Sequence, residues 1–103
     1  MTPQQFNVVL SVRLQKTRAL LAKKGKEYAR EDRLSNFKKA AALMGGRPEA
    51  ACFGFLAKHL VSIADLVGDL EGGLEAPLPM WEEKIGDAVA YLVLLEALVT
   101  ERR

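Results

Sequence analysis

Glu83 and Asp87, two carboxylates four residues apart, are the groups best placed to do chemistry in this 103-residue chain. That spacing puts both on one helix face, where they can share a divalent cation. Asp87 also opens an apolar stretch, Ala88-Val89-Ala90-Tyr91-Leu92-Val93-Leu94-Leu95. A helix apolar all round must be surrounded by protein, and a carboxylate entering that interior is costly unless paired, hydrogen-bonded or metal-bound. Acids at 82 and 83 also answer the positive end of a helix dipole, whereas Asp87 lies two turns in.

Three further groups carry reactive side chains. Glu27 and Tyr28 precede Glu31 and Asp32 among the bases Lys26, Arg30 and Arg33. Such acids can ligate a metal while the bases hold phosphate oxygens, or the run is simply a solvated surface. In Lys58-His59, the histidine falls on an apolar stripe, suited to a hydrogen-bonded core imidazole or one that orients a carboxylate. Lys58 falls on a polar stripe with Ser62, Asp65 and Asp69, and can reach a phosphate or pair with Ser62 or Asp65. Asp65 and Asp69 can in turn face Asp87 across the molecule, or face water. With a single histidine, zinc sites built from several are excluded. Phosphate loops, paired-cysteine motifs and glycine-rich dinucleotide fingerprints are absent.

The elements that position these groups are helices. Thr2 can cap a first helix over residues 3–24, with Pro3 at its first position and Gly25 closing it. Residues 26–35 show no period and read as an irregular connection. Ser35 can cap a short helix over 36–44, with Phe37, Ala40, Ala41 and Met44 inward and Gly45-Gly46 as its stop. Pro48 opens a third helix to about residue 70, whose apolar stripe is Cys52, Phe55, Leu56, His59, Leu60, Ile63, Leu66, Val67 and Leu70. A fourth runs from about 80 to 100. No segment alternates long enough to make a strand. The expectation is one all-α domain over 1–103, a bundle of three long helices and one short, completed by homodimerisation or a higher homo-oligomer.

Composition sets outer bounds. Lys and Arg total 15 against 13 Asp and Glu, a formal charge of +2, too weak a balance to argue nucleic-acid binding. The charge is uneven, with a basic region over 13–39 and an acidic one over 65–87, which suits a phosphate-rich ligand held through a metal. The single cysteine, Cys52, forms no intrachain disulfide and fits a reducing cytoplasm as a small buried side chain. Met1-Thr2-Pro3-Gln4-Gln5 lacks a signal peptide's basic start, and the apolar run over 88–95 is short of the roughly 20 residues a bilayer span needs. A cytoplasmic protein with no membrane association is expected.

In chain order, Lys23-Lys24-Gly25-Lys26-Glu27-Tyr28-Ala29, Asn36-Phe37, Lys58-His59 and the stretch from Asp87 to Leu95 form a set. Over residues 10–98 it resembles the nucleotide-modification-associated family of small bacteriophage and prophage proteins. That family looks distantly similar to the MazG-like all-α nucleoside triphosphate pyrophosphohydrolases. The resemblance implies Mg²⁺-dependent cleavage of a nucleotide, a deoxynucleoside triphosphate, to monophosphate and pyrophosphate, or nucleotide binding without turnover. It implies Glu27, Glu83 and Asp87 as metal ligands, Lys58 and Lys26 on phosphate, His59 orienting a carboxylate, and Tyr28, Asn36 and Tyr91 shaping the site. Two departures stand out: Glu83-x-x-x-Asp87 is one residue longer than the E-x-x-D of those enzymes, and the third helix has no E-x-x-E. The rival expectation is a helical protein–protein interaction module, with Asp87 in a structural ion pair.

Overall fold

The computed structural model describes residues 1–28 and 32–103, the Tyr28 side chain excepted. It holds four helices: α1 (Pro3–Tyr28), α2 (Ser35–Met44), α3 (Pro48–Glu71) and α4 (Leu78–Arg102). Among the described residues there is no strand, so the all-α bundle of three long helices and one short stands.

Local chemistry accounts for most helix ends. The Gln5 N–H donates to Thr2 Oγ1 (3.1 Å) while the Thr2 N–H donates to Gln5 Oε1 (2.8 Å), a reciprocal capping box. Pro48 opens α3 at a position that needs no backbone donor. Gly45, at φ 82°, ends α2 in a conformation that disfavours other residues, its N–H donating to the Ala41 carbonyl (2.8 Å).

Two expected boundaries are corrected. Gly25 does not close α1, which continues to Tyr28. Its hydrogen side chain admits Arg33 instead: a methyl there would lie 2.9 Å from Arg33 Nε. Arg33 Nη2 then donates to the Leu21 carbonyl (3.0 Å). Nor does Ser35 cap α2, since it already belongs to the helix. Asp32 organises that entry, its carboxylate accepting the Leu34 N–H (3.0 Å) and its carbonyl the Ser35 N–H (3.1 Å).

α4 packs on both α1 and α3, and α2 packs on α3. The core gathers Leu34, Phe37, Cys52, Leu94 and Leu98, with Leu21, Tyr91, Leu95 and Ala97 around it. Of the inward set expected on α2, Phe37 and Ala41 are buried, while Met44 is exposed. On α3 the buried line is Cys52, Leu56 and Leu66, whereas Phe55, Leu60, Val67 and Leu70 reach solvent. α4 is likewise not enclosed within one chain: Ala88, Ala90, Leu94 and Leu98 are buried, but Leu92 and Val93 are exposed. The stretch long and apolar enough to cross a bilayer, by length and composition alone, is α3 rather than 88–95; it packs here against α2 and α4.

Candidate functional site

The site lies along the seam between α1 and α4, which run in the same direction where they touch. Lys16 Nζ meets Glu82 Oε2 at 3.0 Å, and two turns further on Lys24 Nζ lies 5.8 Å from the centre of the Tyr91 ring. Residues 16, 20 and 24 therefore line one side, and 83, 87 and 91 the other. Each set is spaced by four, so each forms one helix stripe.

At the upper end is a hollow of about 330 Å³, lined by Lys24, Arg33, Asn36, Phe37, Phe55, Tyr91 and Leu94. That falls at the small end of the roughly 300–1,000 Å³ common for ligand pockets. Its walls are aromatic. Phe55 and Tyr91 lie nearly parallel at 6.3 Å, Phe37 meets Tyr91 edge-on at 6.3 Å, and His59 stacks on Tyr91 at 5.1 Å. Asn36 Oδ1 is buried with no hydrogen-bond donor among the described residues, an acceptor left over on the pocket wall. Beneath it, the Cys52 thiol donates to the Tyr91 carbonyl (3.6 Å), and burial pushes that thiol up to about 11. It is a packing group rather than a nucleophile.

One turn earlier on α4 is a second hollow of about 320 Å³, lined by Arg13, Lys16, Leu20, Pro79, Glu82, Glu83, Gly86 and Asp87. Arg13 Nη2 donates to the Glu82 carbonyl (2.9 Å). Its guanidinium lies over Gly86, where a methyl would sit 2.5 Å from Nη1. Asp87 is half-buried, with Oδ2 3.7 Å from His59 Nδ1. That is too long for a hydrogen bond and becomes an ion pair only with a protonated imidazole.

His59 thus joins the two hollows, stacked on Tyr91 in one and facing Asp87 in the other. The structure brings together Asn36 and Tyr91 in the aromatic pocket, and Glu83 and Asp87 in the acidic one. It does not gather Glu27 or Lys26 with them; both are exposed at the end of α1 and line neither hollow. The Tyr28 side chain, with Arg30 and Glu31, lies outside the described residues. Lys58 is exposed; the Ser62 hydroxyl donates to its backbone carbonyl (3.2 Å), a bond within the helix that does not engage the ammonium. Asp65 and Asp69 are exposed as well. At 100° per residue they stand well round the helix from His59, so they do not complete a cluster with Asp87. Among the described residues no three His, Cys, Asp or Glu side chains converge on one point.

Sequence reasoning passed over Lys24, Arg33 and Phe55 as parts of a pocket, and Arg13, Lys16 and Gly86 as parts of the other. Lys16, Leu20 and Lys24 do repeat at i+4, which signals a shared face. Nothing in the sequence announces that Arg33 folds back over Gly25. The chain matches no family model, no curated protein and no solved structure.

Proposed function

We propose that the protein binds a nucleotide, of the deoxynucleoside triphosphate class, along the α1–α4 seam. The observation that carries this reading is the aromatic pocket flanked by Lys24 and Arg33. Aromatic faces hold a nucleobase by stacking, worth about 1–3 kcal/mol per base. Cations at the rim attract phosphate oxygens, Arg as a planar fork and Lys as a point charge. The leftover acceptor of Asn36 is suited to an amino group on the base edge. A homodimer in a reducing cytoplasm, where such nucleotides occur, belongs to the same reading.

A second reading, Mg²⁺-dependent pyrophosphohydrolysis, draws on Glu83 and Asp87 sharing the adjoining hollow. Two carboxylates fit magnesium that arrives with its substrate, because Mg²⁺ is usually held by one or two carboxylates plus phosphates. Glu83 and Asp87 would hold the ion, which would neutralise phosphate charge. Lys16 and Arg13 would stand beside those phosphates, and His59 would keep Asp87 turned toward the seam. Tyr91, one turn on, would fix the base in its own pocket.

Calorimetric titration with a panel of deoxynucleotides, with and without Mg²⁺, tests both. Binding should be saturable, and Phe55→Ala should weaken it roughly 5- to 150-fold, the equivalent of one lost stack. Phe55 is 44% exposed, so its removal should spare the fold. Asp87→Ala should abolish the Mg²⁺-dependent part of binding or turnover while leaving helical content intact. No heat with any nucleotide, or unchanged affinity in Phe55→Ala, would rule out the pocket as the binding site.

A further inference from the structure

We infer that a second copy of this chain packs, about a two-fold axis, on the apolar face formed by the first half of α1 and the start of α4. The inference deepens the homodimer of the proposed function and rests on that reading, adding which surface the copies share.

Four observations converge on this face. First, α1 leaves Val8 62%, Val9 53% and Val12 39% exposed on one side of the helix. A helical arm of that kind, without packing, is marginal in water. Second, Val8, Val9 and Val12 of α1 and Leu78, Trp81 and Ile85 of α4 enclose a groove of about 450 Å³ whose lining is predominantly apolar. Third, residues 1–12 contain no Asp, Glu, Lys or Arg. The groove adds only Arg13 and Glu82, one charge of each sign. An isologous contact sets a patch against itself, so a patch this poor in charge meets its copy with little like-charge repulsion.

The fourth observation is the area. The chain exposes 7451 Å², whereas a closed monomer of its 11.3 kDa mass exposes roughly 5,700 Å², leaving roughly 1,700 Å² to be covered. Two such excesses come to roughly 3,400 Å², within the roughly 2,000–5,000 Å² that obligate homodimers bury. The radius of gyration agrees, at 15.8 Å against about 13 Å for a compact chain of this length. The groove shares Arg13 and Glu82 with the Glu83–Asp87 hollow, so covering it also closes one side of that hollow.

A separate exposed apolar surface, on α3 around Leu60, Val61 and Val67, shares its helix with the charged Lys58, Asp65 and Asp69. It serves as the control.

Sedimentation equilibrium of the full chain and two variants tests the inference. The wild type and Val61→Glu should sediment at twice the 11.3 kDa chain mass, and Val9→Glu at the chain mass with its far-ultraviolet helical signal retained. A wild type at the chain mass overturns the second copy altogether, leaving a foreign protein or a lipid surface as the occupant of the face. A dimer that survives Val9→Glu but is lost in Val61→Glu overturns the face while leaving the homodimer standing. Nucleotide titration of the wild type is read separately, so loss of the ligand reading and loss of the interface are distinct results.

Discussion

Cys52 is fully buried under the aromatic pocket, and desolvation raises its thiol from an ordinary 9.0 to about 11. The direction follows from burial opposing the charged thiolate. Between pH 9 and 11 the unfolded chain has lost this proton while the folded chain keeps it. The unfolded state then binds fewer protons, so stability falls as pH rises through that window. Denaturant melts from pH 8 to 11 should show this decline in the wild type and lack its share in Cys52→Ala. A thiol reagent at pH 8 should label the native protein far more slowly than the unfolded one. Two single side chains also sit where their neighbours in the chain place them. Cys52 was expected as a small buried group, and Asp87 as a carboxylate at the edge of the interior. Both follow from their neighbours in the chain.

Glycines show how one residue type serves different ends within helices. At Gly86 a methyl would lie 2.5 Å from Arg13 Nη1, which donates to the Glu82 carbonyl through its other terminal nitrogen. Gly86→Ala should displace that guanidinium, and the lost hydrogen bond, about 1 kcal/mol, should offset the similar gain in helix propensity, leaving Tm close to that of the wild type. At Gly68, in α3, nothing lies within 4 Å of the added methyl and φ is negative. Gly68→Ala should therefore stabilise by up to about 1 kcal/mol from helix propensity alone, or roughly 4 °C in Tm. Thermal melts should therefore show a raised Tm for Gly68→Ala and little change for Gly86→Ala; an equal rise in both would mean that Arg13 is not seated on Gly86. Gly25 belongs with Gly86. It was expected to end α1, but it makes room for Arg33 and the helix runs on.

Across the molecule, two ion pairs fasten the end of α4 to other parts of the fold, and a third ties Lys38 to Asp32. Lys38 bridges Asp32 and Glu101, and Glu49 pairs with Arg102. Hydrogen bonding from Lys38 holds Asp32 below its ordinary 3.8, and hydrogen bonding from Arg102 holds Glu49 below its ordinary 4.5. Because the folded values are depressed, their stabilisation is complete above those ordinary values and disappears as pH falls through the folded ones. All these groups reach water, so the effect is small and screened by salt. Urea melts from pH 2 to 6 should show an acid decline that is shallower in an Asp32→Asn, Glu49→Gln double variant and at high salt.

What the chain's residues settled in advance was its all-α class, the four helices and several of their ends. Thr2 with Gln5, Pro48 and Gly45 act on backbone groups within a turn, so their effects can be read in sequence order. The apolar spacing that separates helix from strand is equally local. Which polar groups share a pocket depended instead on the packing of α1 along α4. Lys16 and Glu82 are 66 positions apart, and Arg13 and the Glu82 carbonyl 69. No short-range signal encodes such pairings. They arise because Gly86 allows a close approach and buried apolar faces fix how the helices meet, and so Tyr91 and Asn36 join one hollow, Glu83 and Asp87 another, while Glu27 and Lys58 are left in solvent.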